Sequence, residues 1–487
     1  MPTDKQSNDD DGAEFPADLL VDLDRSRPRS LRAQLEQALR AAITSGSLAA
    51  GTVLPPSRAL AADLNVSRSL VVAAYEQLLT EGYLEARQGA GTRVRARGGR
   101  LQDVRALVSP PPAAEATTWN SGLPDPALFP RGEWVRHYRE VLRDLPDEGL
   151  NYPHPQGTPE LRAALTAYLG RVRGVRTGAG EVVICSGFSQ GLVLLCRVLG
   201  RQGVTRVAVE DPCFSFHRRL ISQAGLEAVP VPVDEQGMLV SRLAGLHVGA
   251  VVLSPAHSYP SGATLCADRR VQLLQWAAAS GALVIEDDYD AEFRYDRLPV
   301  GALQGLDPAH VVYGGSASKI LSPVLRLGWL VVPPDLITDV IRAKFYDDYS
   351  NEGLGQLALA RFIDSGALTR HLRRVRPIYR SRRDSLLTAL GAHLPGLQPT
   401  GQAAGLHLLL RLPVGLDANE LCRLARRHRL PLENAARHWA DRDAAPPAVV
   451  IGYGTLREGA IARGVEYLGR DLGHATSGPA PGSVRSS

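Results

Sequence analysis

The chain has 487 residues, 44% of them hydrophobic and 6% aromatic, and a formal net charge of +4. That length exceeds one ordinary core and predicts two or three folded units. The weak charge excludes a uniformly basic coat but leaves room for a basic patch on one unit. Five cysteines (Cys185, Cys196, Cys213, Cys266 and Cys422) are scattered without a CxxC pair. They read as free thiols in a reducing compartment, with neither a disulfide frame nor a metal site. Met1–Pro16 lacks the apolar stretch of a secretory leader, and no run of 18 apolar residues occurs. The cytoplasm is the expected location.

In chain order, residues 1–18 are dense in Asp, Asn and Gly and read as a disordered tail. Residues 19–97 read as helices followed by a hairpin. Leu31, Leu35, Leu39 and Ile43 recur at helical spacing until Gly46. Leu54-Pro55-Pro56-Ser57 supplies a loop and cap for a short second helix through Leu60 and Leu64. Asn65-Val66 makes a tight turn, and Ser67 caps a third helix carrying Leu70, Val71, Ala74, Tyr75 and Leu78. Gly82–Glu85 and Thr92–Arg95 are strand candidates around Gln88-Gly89-Ala90-Gly91. Two helices across a tight turn and a glycine-tipped hairpin describe a winged helix-turn-helix, so duplex DNA is the expected partner. Arg58, Ser67, Arg68 and Ser69 sit at helix starts, where N–H groups and side chains meet phosphates. Arg68 can also fork onto a guanine edge. About eleven arginines face seven acids between Asp22 and Arg97.

Residues 98–117 hold Gly98-Gly99 and Ser109-Pro110-Pro111-Pro112 and form the expected linker. Residues 118–474 alternate short aliphatic runs with helical stretches, the pattern of a parallel sheet wrapped by helices. Val182–Cys185, Val207–Val209, Ala250–Leu253, Leu283–Ile285 and Val311–Tyr313 are its strands, each ending in a loop where such sheets bind ligands. Residues 475–487 read as a second disordered tail. The arginine-dense stretch from His371 through Arg383 has helical spacing and reads as a solvated or packing face.

Of 55 basic residues, only Lys5, Lys319 and Lys344 are lysines. A lysine kept against such a bias does something arginine cannot. A desolvated amine loses its proton and can form a Schiff base with an aldehyde, whereas guanidinium stays charged. Lys319, in Gly315-Ser316-Ala317-Ser318-Lys319, is therefore the candidate anchor for pyridoxal phosphate. Lys5 and Lys344 read as ordinary surface lysines. Ser186-Gly187-Phe188-Ser189-Gln190 follows a strand and opens a helix, a cradle of N–H groups for phosphate. Ser316, Ser318 and Arg326 can add donors. Asp287 or Asp288, after the Leu283–Ile285 strand, can hold a pyridine nitrogen protonated; spacing alone does not separate them.

Leu54-Pro55-Pro56-Ser57-Arg58-Ala59-Leu60-Ala61, Leu64-Asn65-Val66-Ser67-Arg68 and Glu81-Gly82-Tyr83-Leu84 resemble a GntR-family winged helix across the whole first unit. That resemblance assigns DNA contacts to Arg58, Ser67, Arg68 and Ser69, with Gly89 in the wing. The larger unit resembles a fold-type I aminotransferase, and the fusion resembles the MocR subgroup of regulators. The implied fold class is a winged helix rich in α-structure joined to an α/β aminotransferase-like domain. The resemblance implies Lys319 as the Schiff-base lysine and Phe188 and Ser189 at the phosphate. It also implies Phe214 on the ring face, Asp287 at the ring nitrogen and Tyr289 at the ring hydroxyl. Tyr152 would reach the neighbouring subunit's phosphate, which implies a homodimer. Two departures stand out. His257-Ser258-Tyr259-Pro260-Ser261-Gly262 has no asparagine where many such enzymes show Asn-Pro-x-Gly. Val450 occupies the place of a carboxylate-binding arginine, and nothing shows that Arg457 replaces it.

Three readings follow. In the first, a regulator's DNA affinity is modulated by pyridoxal phosphate itself, or by an amine or amino-acid effector, with at most a residual half-reaction. The second is a genuine aminotransferase or lyase with an accessory DNA module. The third is a DNA-binding protein whose large domain only dimerises; Lys319 and Asp287 argue against it.

Overall fold

A computed structural model of the chain describes residues 23–26, 28–87, 91–95, 121–295 and 300–476. The expected tail 1–18, the linker 98–117, Gly89 and residues 477–487 lie outside these. The chain divides into two compact units, Met1–Pro112 and Ala113–Ser487.

The first unit holds α1 (Leu31–Ser45), α2 (Ser57–Asp63), α3 (Arg68–Thr80), β1 (Leu84–Arg87) and β2 (Gly91–Val94). Ser30 caps α1 by accepting from the Ala33 N–H, and Gly46 ends it. Ser67 caps α3 by accepting from the Leu70 N–H. The second helix departs from expectation. Pro56 takes its N-cap position, Ser57 is already helical, and no side chain caps it. Its entry is fixed from outside by the Tyr75 hydroxyl, which donates to the Pro55 carbonyl at 3.0 Å. Asn65, in the left-handed region at φ 53°, closes the turn between α2 and α3. Leu35, Leu39, Val71, Ala74, Leu78, Leu84 and Val94 pack as one core.

The second unit is built on an eight-stranded sheet. Its strands are β3 (Val182–Cys185), β4 (Arg206–Asp211), β5 (Glu227–Asp234), β6 (Gly237–Met238), β7 (Ala250–Leu253), β8 (Leu283–Asp288), β9 (Val311–Ser316) and β10 (Gly328–Val331). The order is β3-β10-β9-β8-β7-β4-β5-β6. Strands β5, β4, β7, β8 and β9 run parallel, as near-continuous apolar runs predict. The five strands expected from sequence are parallel to one another, and the sheet becomes mixed through two others, β10, antiparallel between β3 and β9, and β6, antiparallel to β5. A smaller antiparallel sheet follows, with β11 (Gln398–Thr400), β12 (His407–Arg411), β13 (Leu432–Asn434) and β14 (Ala448–Gly452) in the order β11-β12-β14-β13. The arginine-rich stretch lies in one helix, Ala367–His393, that buries His371, Leu372, Val375 and Tyr379 while Arg373 and Arg380 stay exposed.

Lys344 corrects one expectation. It is fully buried, not on the surface, and is paired with Asp348 one helical turn on. Strand β8 separates the two acids that spacing left open, because successive side chains leave opposite faces of the sheet. Asp288 points to the face where Arg173 donates to both its oxygens, at 2.7 and 3.0 Å, and the Tyr313 hydroxyl donates at 2.6 Å. Both ion-pair side chains are 1% exposed. Asp287 points the other way, and its Oδ1 has no hydrogen-bond partner. Asp288→Asn should therefore strip about 3–5 kcal/mol from the ligand-free protein, since it leaves a buried guanidinium uncompensated. Asp287→Asn should change stability by about 1 kcal/mol or less, because no bond is lost. Urea unfolding followed by tryptophan fluorescence compares the two, and equal losses would contradict this division of roles.

Candidate cofactor cleft and DNA-reading helix

The carboxyl ends of the parallel strands open into a cleft of about 350 Å³. Lys319 reaches it from the short helix Ala317–Ile320 that follows β9. Phe188, Ser189, Phe214, Asp287, Tyr289, Ser316, Ser318 and Arg326 also line it. The structure thus gathers nine of the ten expected cofactor residues around one space. Tyr152 is the exception: it is 78% exposed, with its ring 5.0 Å from that of Tyr349.

One end of the cleft is built for an anion. The helix Phe188–Arg201 begins there with no side-chain cap, so its first N–H groups are free. Gly187 precedes it at φ +89°, a conformation that disfavours a side chain. A Cβ on Gly328, the first residue of β10, would come within 2.6 Å of the Gly187 backbone, so this close approach requires glycine at 328. The Arg326 guanidinium donates to the Ser186 carbonyl at this end. Ser316 Oγ donates to Ser318 Oγ at 2.8 Å and accepts from the Ser318 N–H at 3.0 Å.

The other end is electrostatically tense. Burial pushes the Lys319 amine below its ordinary value, opposed by the carboxylates of Asp290, Asp287 and Glu433. Burial also holds the Asp287 carboxyl well above its usual range, and the neighbouring charges of Asp288, Asp290 and Glu210 add to this. Burial thus works toward the neutral form in both groups, while each opposes that shift in the other. His217 Nε2 lies 3.6 Å from Asp287, too far for a hydrogen bond, and burial drives the imidazole down to about 4. The Phe214 ring stands edge-on to His217 and Tyr259 at 5.4 and 5.7 Å.

Several lining residues escaped the sequence reading. Glu210 accepts from the Ser254 N–H at 3.0 Å and is pushed up to about 7 by burial. Asp290 follows Tyr289 closely enough that the Glu286–Tyr289 segment hinted at it. His407 arrives from β12, some 90 residues beyond Lys319, and no local pattern announces it. His257 stands behind the lining, bonded to Asp290 and Tyr289. His257, Asp290 and His407 bring potential ligand atoms within 4.8 Å of one another. Among the described lining residues the one permanent cation is Arg326, since the Lys319 amine can lose its proton. Val450 is fully buried against Leu409, Ala435 and Ala448, and Arg457 is exposed.

In the first unit, Arg58, Ser67, Arg68 and Ser69 are all exposed. Ser67 Oγ and Ser69 Oγ lie 3.0 Å apart at the start of α3. Arg58 and Arg68 form no ion pair with a described residue, so both guanidinium groups are available to an outside anion.

Residues 129–429 match the family model for aminotransferase class I and II, and residues 31–94 match that for bacterial regulatory proteins of the gntR family. The pyridoxine biosynthesis transcriptional regulator PdxR of Corynebacterium glutamicum is 34% identical over 400 residues, covering 81% of this chain and 86% of that protein. The probable rhizopine catabolism regulatory protein MocR of Rhizobium meliloti is 32% identical, covering 90% and 94%. Among solved structures, Pyrococcus horikoshii kynurenine aminotransferase, crystallised with PMP, superposes with a TM-score of 0.68 at 27% identity. That match covers 77% of this chain and 97% of the other. The chain therefore belongs to the MocR-type transcriptional regulators, in which a gntR-family winged helix is joined to an aminotransferase class I and II domain whose family implies dependence on pyridoxal phosphate.

Proposed function

We propose that this regulator binds pyridoxal phosphate covalently through Lys319, and that the occupant of the cleft sets its affinity for an operator. The observation that carries this reading is the placing of a lysine, Lys319, and a buried carboxyl, Asp287, whose Oδ1 has no hydrogen-bond partner, in one cleft that ends in a donor-rich cradle. When bound, the cofactor supplies a carbonyl for amines and an electron-withdrawing ring. The protein does the rest. Ser189, Ser316, Ser318, Arg326 and the N–H groups after Gly187 would hold the phosphate, with Phe188 shaping that end. Phe214 would cover the ring face. Asp287 would meet the protonated ring nitrogen, gaining the cation it lacks. Tyr289 would donate to the ring oxygen.

Tyr152 supports a homodimer, because its exposed hydroxyl serves no purpose in its own cleft. Leu150, Val324, Tyr346 and Tyr349 are exposed apolar side chains that a second copy would cover. An amine effector would exchange with Lys319, or pyridoxal phosphate itself would be the signal. The reading of a genuine aminotransferase is favoured less. A substrate carboxylate would find Val450 where an arginine is expected, and burying it unpaired costs several kcal/mol.

Borohydride reduction followed by peptide mapping should place the cofactor on Lys319. Lys319→Arg should lose the visible absorption band, since a guanidinium cannot form the Schiff base. A label on Lys344, or none, would overturn the assignment. On DNA, Arg68→Ala should cost about 1–3 kcal/mol on the preferred duplex if it reads a base. Arg58→Ala, as a phosphate contact, should weaken all duplexes alike and flatten the salt slope by about one. Unchanged binding in both variants would displace α3 from the DNA.

A further inference from the structure

We infer that His257, held by Asp290, is a positioning residue for Tyr289, fixing its phenol as a hydrogen-bond donor into the cleft. The inference rests on the assignment of Tyr289 to the cofactor's ring oxygen. His257 Nδ1 lies 2.9 and 3.1 Å from the two Asp290 oxygens and 3.1 Å from the Tyr289 hydroxyl. One nitrogen thus faces three oxygens, and it carries either a hydrogen or a lone pair. His257 is 3% exposed and Asp290 2%, so no bulk water can relieve a mismatch. A bare Nδ1 could accept from the Tyr289 hydroxyl, but its lone pair would face both Asp290 oxygens and leave that buried carboxylate without its His257 donor. Asp290 therefore selects the tautomer with hydrogen on Nδ1.

That hydrogen is donated to Asp290 and shared with the Tyr289 oxygen. Nδ1 then offers Tyr289 nothing to donate to, and the phenol hydrogen turns toward the cleft that Tyr289 lines. The packing around the pair leaves little freedom. A Cβ on Gly405 would approach His257 Cε1 to 2.3 Å and Asp290 Oδ2 to 2.6 Å. The His257 and His407 rings sit 5.2 Å apart. Lys319, on the cleft side, feels the same Asp290 charge. The loop that lacks the expected asparagine thus supplies His257, which acts one residue removed from the ring oxygen.

The test uses the full-length protein loaded with pyridoxal phosphate and the pH midpoint of its visible absorption band. A donor to the ring oxygen stabilises the deprotonated chromophore, so losing that donor raises the midpoint. His257→Leu should raise it by about one to two pH units, as should Tyr289→Phe. The double variant should show no further rise, because His257 acts through Tyr289. His257→Asn, which places a nitrogen where Nδ1 lies, should stay near wild type. His257→Gln, whose nitrogen falls nearer the Nε2 position, should shift like leucine, so the comparison survives if the leucine variant does not fold. An unmoved midpoint in both His257→Leu and His257→Gln overturns the inference, and so does an equal shift in the Tyr289→Phe background. Wild-type protein without a Lys319-linked band overturns the cofactor reading beneath it, a result seen before any His257 variant is compared.

Discussion

The buried triad of Asp288, Arg173 and Tyr313 is the constraint on which the cleft depends. Asp288 is the last residue of β8, and its two oxygens accept three short hydrogen bonds from groups shielded from solvent. A charge-assisted cluster of this kind has one good geometry, so it fixes the twist of the strand end. Strand alternation then turns Asp287 to the opposite face, toward Lys319. One acid is spent on structure so that its neighbour can be presented, unpaired, to a ligand.

The consequence is a cleft arranged for a guest that brings its own cation. Lys319 and Asp287 each lean toward neutrality, and burial is the main cause in both. A ring with a protonated nitrogen would relieve Asp287, and an aldehyde would consume the Lys319 amine. The anion cradle at the far end depends on backbone: Gly187 and Gly328 touch, and an uncapped helix points inward. Binding free energy is thus drawn from groups whose cost has already been met by folding.

Much of this was legible in the sequence because its signals are local. Ser67 caps a helix, Asn65 closes a turn, and Lys319 stands out in a chain that otherwise uses arginine. What was not legible comes from pairing across long separations. Strand β10 joins the sheet antiparallel, which no periodicity of Gly328–Val331 reveals. Asp287 and Asp288 looked equivalent until Arg173 and Tyr313 claimed one of them. Lys344 looked like a surface residue because its burial depends on the packing of its helix, Pro334–Asp348, against the distant helix Phe188–Arg201. His407 comes from the second sheet, and His257 mattered only once Asp290 and Tyr289 were beside it.

The central claim is that filling the cleft and gripping DNA are linked, which requires a ligand with different affinities for two states of the protein. The most direct test is operator affinity measured on ligand-free protein and on protein saturated with pyridoxal phosphate, with Lys319→Arg carried through both conditions. The claim predicts a change of about 5–150-fold in the wild type, as for a typical allosteric coupling, and a reduced change or none in Lys319→Arg. Equal operator affinities in the two wild-type samples, with the cofactor demonstrably bound, would contradict it.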